Sequence, residues 1–150
     1  LVFGKGPEAS TFSALVKTAG YPNLLLSPDS DTLDAGRQLG CNTHLLVKRA
    51  FPEDVHVDDH TAVVLFFHDH EWEPPILAGA LETCAFYIGA QGSQRARDTR
   101  NSTLKRLGVS EKEISQLHGP VGLIPSARDA GTLAVSVLAE VLAKAMENAT

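Results

Sequence analysis

The chain lacks frequent cysteines and long apolar runs, the features that are typical of disulfide-bonded secreted proteins, zinc-binding domains and membrane-spanning proteins. Its 150 residues include only two cysteines, and no apolar run approaches the ~20 residues that a membrane helix needs. Cys41 and Cys84 lie far apart without a CxxC partner, which excludes a zinc ribbon or a redox pair built from this chain alone. We therefore expect a cytoplasmic protein with reduced thiols and no membrane association, and interpret Cys84, beside a predicted buried strand, as a core residue.

The charge of the chain is acidic and unevenly distributed. Eighteen acidic and 13 basic side chains give a net charge of −5. Residues 29–82 hold eleven acids and three bases, whereas residues 95–112 hold six bases and two acids. A local basic stretch on an acidic protein suits a small anionic ligand better than a nucleic acid. A solvated helix face with i,i+4 ion pairs remains the alternative.

The composition predicts one ordinary globular domain over residues 1–150. Hydrophobic residues make up 43% of the chain and charged residues 21%, and a chain of this length buries roughly two-thirds of its unfolded surface on folding. The segment Leu1-Val2-Phe3 resembles the end of a β-strand and no initiator methionine precedes it. We therefore expect a fragment, or a domain that lacks an upstream partner domain.

Apolar runs of strand length alternate with helical patterns along the chain, which predicts a mainly parallel α/β sheet. The strands are predicted at residues 2–3, 23–26, 43–46, 61–67 and 85–88. One helix is predicted to follow the glycine turn at residues 4–6, and two others to cover residues 31–39 and 74–81. Further helices are predicted to begin after Ser93 and after Ser110. The last helix carries apolar residues from Ala134 to Ala145 on one face, so we expect it to pack against the sheet.

The first glycine turn has the form GxGxxA, from Gly4 through Gly6 to Ala9, between a predicted strand and helix. In dinucleotide-binding folds such glycines permit a tight turn and a close approach to pyrophosphate. Pro7 removes one amide donor here and Glu8 adds a negative charge. The second predicted strand also ends in Ser27 rather than in the acid that usually binds the ribose of NAD. These departures disfavour NAD(P), although an NAD(P)-dependent oxidoreductase remains an alternative.

A second glycine turn, Gly89 to Ser93, follows the last predicted strand and precedes the basic helix. Gly92 and Ser93 would open this helix with Ser93 as its cap, and Arg95 in its first turn would add bidentate contacts to a phosphate. The alternative is that Gly89 and Gly92 only let the strand turn sharply.

The sequence His68-Asp69-His70-Glu71 stands at the carboxyl end of the most apolar strand. These side chains can serve as metal ligands or as an acid and base pair. The two imidazoles lie at alternate positions, where an extended chain points them in opposite directions. We therefore favour a polar wall of a ligand pocket, with a buried hydrogen-bonded turn as the alternative, and expect no dedicated metal site.

Three segments together resemble one known family: HDHEWEPP at residues 68–75, FYIGAQGS at 86–93 and HGPVGL at 118–123. In this order they are similar to the C-terminal Rossmann-like domain of the XdhC/CoxI proteins, accessory factors of xanthine dehydrogenase and related molybdenum hydroxylases. The resemblance covers essentially the whole chain and implies a Rossmann-like three-layer sandwich. The chain departs from the family at Ser27, at Gln94-Arg95, where an Arg-Arg pair is common, and at residues 124–127, where a glycine turn is usual.

The resemblance implies a chaperone that binds molybdenum cofactor, whose terminal phosphate or pyrophosphate suits the two glycine turns. It also implies as partners a cysteine desulfurase, which sulfurates the cofactor, and the apo molybdenum hydroxylase that receives it; a homodimer is a further possibility. An interaction module with a decayed nucleotide site is a third alternative, beside the oxidoreductase. We expect binding and delivery rather than catalysis. The expected cofactor-binding residues are Gly4, Gly6, Ser27, His68, His70, Gly89, Gly92, Ser93 and Arg95.

Overall fold

The computed structural model describes residues 1–149, so that Thr150, the last residue of the predicted domain, lies outside it. The strands are β1 (Val2–Gly4), β2 (Leu25–Ser27), β3 (Thr43–Leu45), β4 (Ala62–Phe66) and β5 (Tyr87–Ala90). The helices are α1 (Pro7–Thr18), α2 (Ser30–Gln38), α3 (Glu73–Ala80), α4 (Gln94–Arg106), α5 (Glu111–Ile114) and α6 (Ala130–Asn148). None of the helices within residues 1–149 is long and apolar enough to cross a membrane.

The five strands form one parallel sheet in the order β3-β2-β1-β4-β5. Phe3 of β1 is paired with Leu26 of β2 on one side and with Leu65 of β4 on the other. Strands β2 and β3 are added on one side of β1, and strands β4 and β5 on its other side, so the direction in which strands are added reverses between β1 and β4. In parallel α/β sheets the crevice that receives a ligand lies at the carboxyl ends of the strands beside such a switch point.

Two hydrophobic cores cover the two faces of the sheet. Phe3 packs with Ile76 of α3 and Leu104 of α4 on one face, while Val2 packs with Phe12 of α1 and Val137 of α6 on the other. Neighbouring residues of one strand thus serve opposite cores, because successive side chains in a strand point to opposite faces. The predicted three-layer architecture with a parallel sheet is confirmed, as is the packing of the last helix against the sheet.

The predicted boundaries differ most at β5, which begins at Tyr87 and runs to Ala90 instead of covering residues 85–88. Gly89 belongs to this strand because it pairs with Val64 of β4 and forms a second bridge to His118. The later start of β5 leaves Cys84 in the turn after α3. The interpretation of Cys84 as a core residue was wrong, since Cys84 is exposed and Cys41 is buried.

Candidate functional site

A cleft of about 980 Å³ opens at the carboxyl edge of the sheet. Its walls come from the segment after β4, the segment after β5 and the loop that leads into α6. Glu8 of α1 closes one side and Arg100 of α4 lies at its floor. The cleft therefore occupies the place where the parallel topology predicts a ligand.

The wall after β4 carries His68 and His70, both exposed. The Nε2 atom of His68 lies 3.2 Å from Glu8 Oε1 and 3.2 Å from Gln91 Nε2. Between the two histidines, Asp69 accepts hydrogen bonds from the backbone amides of the next turn and pairs with Lys5 at 3.3 Å. Partial burial works to raise the pKa of Asp69, but these amides and the Lys5 ammonium outweigh it and hold the pKa below its usual value.

The wall after β5 is the amino terminus of α4. Ser93 caps this helix by accepting a hydrogen bond from the Ala96 amide at 3.1 Å, which confirms the predicted cap. Gly92 adopts a φ of 138°, a conformation that favours glycine. The residues Gly92, Ser93 and Gln94 line the cleft. The first turn of a helix has amide groups without intrahelical partners, so this wall suits an anionic group.

The floor of the cleft contains an ion pair that the sequence interpretation did not single out. Arg100 Nε donates to Glu73 Oε1 at 2.6 Å, and only 2% of the Arg100 side chain and 6% of the Glu73 side chain are exposed. Arg100 Nη2 also donates to the Gln91 carbonyl at 2.8 Å. Burial raises the pKa of the Glu73 carboxyl, although the Arg100 guanidinium opposes that effect. The pair ties the first turn of α3 to the turn that opens α4.

Two glycines allow the guanidinium of Arg100 to lie where it does. A Cβ on Gly119 would come within 2.6 Å of Arg100 Nη1, and one on Gly92 within 3.4 Å of Nη2. Any side chain at position 119 would therefore displace Arg100 or the loop. The glycine-rich segment at 118–123 thus serves close packing against the cleft floor.

His118, the first residue of this segment, belongs to a second polar cluster together with Tyr87 and Glu140. The Tyr87 hydroxyl donates to Glu140 Oε1 at 2.5 Å, and the His118 ring stacks on Tyr87 with centroids 4.3 Å apart. Burial, and then the Glu140 carboxylate, raises the pKa of Tyr87. Burial lowers the pKa of His118, with Lys144 acting in the same direction and Glu140 against it. None of these three side chains lines the cleft.

The first glycine turn and Ser27 form a separate network beside the cleft. The Gly6 amide donates to Thr32 Oγ1 at 2.8 Å, and that hydroxyl donates to Asp29 Oδ2 at 2.6 Å. Ser27 is completely buried and accepts a hydrogen bond from the Asp29 amide at 3.1 Å. Gly4 lies inside β1, where a Cβ would meet the Phe66 carbonyl oxygen at 2.5 Å.

The structure brings four of the nine predicted site residues together in the cleft: His68, His70, Gly92 and Ser93. The predicted residues that do not line it are Gly4, Gly6, Ser27, Gly89 and Arg95. Gly89 packs within β5, where a Cβ would meet Val121 Cγ1 at 2.5 Å, and Arg95 is exposed on α4. Within residues 1–149 there is no group of three or more His, Cys, Asp or Glu side chains placed to hold a metal ion.

A parallel sheet in this strand order, with helices on both faces and a polar cleft at its carboxyl edge, defines a Rossmann-like domain. The chain matches the XdhC Rossmann domain over residues 1–141 and belongs to that family.

Two known proteins extend the comparison. The chain is 38% identical over 143 residues to the molybdenum cofactor insertion chaperone PaoD of Escherichia coli (strain K12), covering 94% of this chain and 38% of PaoD. Its fold is similar to that of a xanthine dehydrogenase from Bacillus halodurans, with a TM-score of 0.77 and 20% identity over 99% of this chain and 42% of that one. At 20% identity this second likeness shows the fold alone. The chain spans less than half the length of either relative.

Proposed function

We propose that this domain binds molybdenum cofactor in the cleft and takes part in its delivery to an apo molybdenum hydroxylase of the xanthine dehydrogenase type. The membership of the XdhC family and the 38% identity to an insertion chaperone support this proposal. The structural observation that carries it is the meeting of the α4 amino terminus and the Arg100 guanidinium with two imidazoles in one cleft. The cofactor is the cargo of such a protein, so the residues of the cleft bind it without making or breaking its bonds.

The donor set of the cleft fits a ligand with a phosphate at one end and a polar ring system at the other. The amides at the start of α4 are suited to a phosphate, and the positive charge of the nearby Arg100 favours an anion there. His68, His70 and the Gln91 amide offer hydrogen-bonding groups on the opposite wall for the pterin or its dithiolene. Arg100 is held by Glu73 and by the Gln91 carbonyl, so its charge is positioned before a ligand arrives.

The proposal includes partners and a location that the family resemblance implies. A cysteine desulfurase would act on the bound cofactor, and both proteins would meet in the cytoplasm. The exposed edge strand β3 supports a homodimer as a further part of the proposal, because Leu45 is 53% exposed there and Val47, just beyond it, is 79% exposed. Light scattering on the purified chain and on a Leu45→Lys variant tests this part: a dimer that dissociates in the variant is expected, and a monomeric wild type contradicts it.

The test of cofactor binding is a thermal-shift titration with anaerobically released molybdenum cofactor, with NAD+, NADP+ and NADPH in parallel. A ligand at a hundred times its dissociation constant stabilises a fold by about 2.7 kcal/mol. We expect stabilisation by the molybdenum cofactor and its transfer to an apo hydroxylase. The double variant Glu73→Gln/Arg100→Gln removes the buried charges together and should lose binding. Arg95→Gln removes one positive charge from the same helix outside the cleft and is the matched control.

Each outcome assigns the domain to one class. Stabilisation by NADP+ or NADPH alone would replace the chaperone proposal with the oxidoreductase. Insensitivity to every ligand would favour an interaction module with a decayed site. Equal loss of binding in Arg95→Gln and in the double variant would move the phosphate site to the exposed face of α4, as the sequence predicted.

A further inference from the structure

The turn between β1 and α1 has the GxGxxA form of a dinucleotide site, but groups of the protein occupy it. We infer that Glu8 is a specificity-determining residue that excludes the phosphate groups of nucleotides from this turn. The inference concerns nucleotides and does not rest on molybdenum cofactor being the ligand of the neighbouring cleft.

The amide donors of the turn are the first observation. A phosphate at such a turn is held by backbone N–H groups that point at it from the glycines and the helix start. The Gly6 amide already donates to Thr32 Oγ1 at 2.8 Å, and Pro7 has no N–H to offer. The Thr32 hydroxyl is itself fixed by Asp29, so this partner does not depend on a mobile side chain.

The position of the Glu8 carboxylate is the second observation. Glu8 is in the first turn of α1, and its Oε2 atom lies 3.3 Å from the point that a Cβ on Gly6 would occupy. Its Oε1 atom lies 3.2 Å from His68 Nε2, and 24% of the side chain is exposed. The carboxylate therefore rests against the glycine that would face a pyrophosphate, at the positive end of the helix dipole. The negative charge of Glu8 lies where a bound phosphate would lie, and it repels the phosphate groups of a nucleotide.

The ribose side of the turn is the third observation. NAD-binding domains present an acid after the second strand to the ribose hydroxyls. Here Ser27 is buried, and the Asp29 carboxylate accepts hydrogen bonds from both the amide and the hydroxyl of Thr32. Asp29 is therefore engaged in capping α2. The same network that blocks the Gly6 amide also removes the acid that would recognise a nucleoside.

These contacts direct an anionic ligand away from the β1–α1 turn and toward the start of α4, on the other side of the cleft. The physical benefit is selectivity, because abundant dinucleotides would compete for a cleft whose fold is otherwise suited to them. Glu8 and Thr32 thus separate this domain from the nucleotide-binding domains that share its topology.

The experiment measures ADP and NAD+ binding by isothermal titration calorimetry to the 150-residue chain and to Glu8→Gln, Thr32→Val and the double variant. Glu82→Gln, at an exposed site after α3, removes the same charge elsewhere and is the matched control. We expect Glu8→Gln to bind ADP about tenfold more tightly than the wild type, because a like charge beside the phosphate is gone. The double variant should bind still more tightly, since the Gly6 amide is freed. Unfolding curves establish whether each variant folds. If Thr32→Val does not fold, the test rests on Glu8→Gln alone.

Amide chemical shifts in ¹⁵N spectra locate the gain. Chemical-shift changes at Gly6 and Ala9 when ADP is added to Glu8→Gln support the inference. Shifts confined to Gly92 and Ser93 overturn it, because Glu8 would then repel anions from the cleft as a whole. Unchanged affinity in Glu8→Gln, an equal gain in Glu82→Gln, or a wild type that already binds ADP at Gly6 also overturns it. None of these outcomes depends on the molybdenum cofactor titration, so the two proposals fail separately.

Discussion

Arg100 and Glu73, 27 residues apart in the chain, form a buried ion pair with an Nε–Oε1 distance of 2.6 Å at the floor of the cleft. Removing one partner of such a pair leaves an uncompensated charge in the interior, which costs about 3–5 kcal/mol. We expect Arg100→Met or Glu73→Gln to lower the free energy of unfolding by about this amount. Urea denaturation of both single variants and the double variant measures it, and the double variant should lose less than the two single losses together.

The exposed pair of Arg37 and Asp34, at 2.9 Å, is the control for this prediction. Both side chains are more than half exposed, so Arg37→Met should cost no more than about 1 kcal/mol. Strict additivity of the Arg100 and Glu73 losses would contradict the coupling that the structure shows.

Gly119 permits the close approach of the loop to Arg100. Gly119→Ala would place a Cβ 2.6 Å from Nη1, and Arg100 cannot yield without stretching its bonds to Glu73 and the Gln91 carbonyl. We expect a loss of about 1–3 kcal/mol in stability, as for other overpacked sites, together with weaker ligand binding.

The control for Gly119→Ala is Gly131→Ala in the first turn of α6, where the nearest atom to the added Cβ is Asp129 Oδ2 at an ordinary 3.4 Å. That variant should gain up to about 1 kcal/mol, because alanine costs less backbone entropy in a helix. Thermal unfolding of the two variants compares them, and equal stability would exclude the proposed contact with Arg100.

His118 should make stability fall on acidification. Burial lowers its pKa in the folded protein, with Lys144 acting the same way and Glu140 opposing, so the unfolded chain takes up the proton first as pH decreases. This contribution is complete above the unfolded pKa of about 6.5 and is lost as pH falls through the lower folded pKa. Urea unfolding on both sides of this range should show a smaller acid loss in His118→Gln than in the wild type. If acidification lowers the stability of His118→Gln as much as that of the wild type, then the pKa of His118 is not lowered in the folded protein.

Cys84 should be the reactive thiol of the folded protein. It is exposed in the turn before β5, whereas Cys41 is buried. Alkylation with iodoacetamide followed by mass spectrometry should label Cys84 in the native state and both thiols after denaturation. Native labelling of Cys41 at a similar rate would contradict the burial of that side chain.

Much of the architecture was predictable from local patterns. The apolar run before His68 and the helical spacing of residues 134–145 predicted a buried strand and a packed helix, because each periodicity reflects one element burying one kind of surface. Ser93 was also predictable as a cap, since its oxygen serves an amide only three residues away. The limits of β5 were not, because its last residues are held by partners on β4 and at His118.

The candidate site was predictable where a residue follows directly from the end of a strand. His68, His70, Gly92 and Ser93 line the cleft for that reason. Arg100 was counted only as part of a basic stretch, because nothing local distinguishes it from exposed arginines such as Arg95. Its partner Glu73 lies on another helix, and only the packing of α3 against α4 brings the two charges together.

The sequence by itself determined the alternation of strands and helices, the parallel sheet and the family of this domain, since these depend on hydrophobic periodicity and on short motifs. Only the tertiary structure decided which glycine turn has amides available for a ligand. Both turns have strand–glycine–helix patterns, but the Gly6 amide is bonded to Thr32, 26 residues away, and Glu8 faces His68, 60 residues away. Hydrogen bonds and charges over such separations arise from the folding of the whole sheet, so no local pattern contains them.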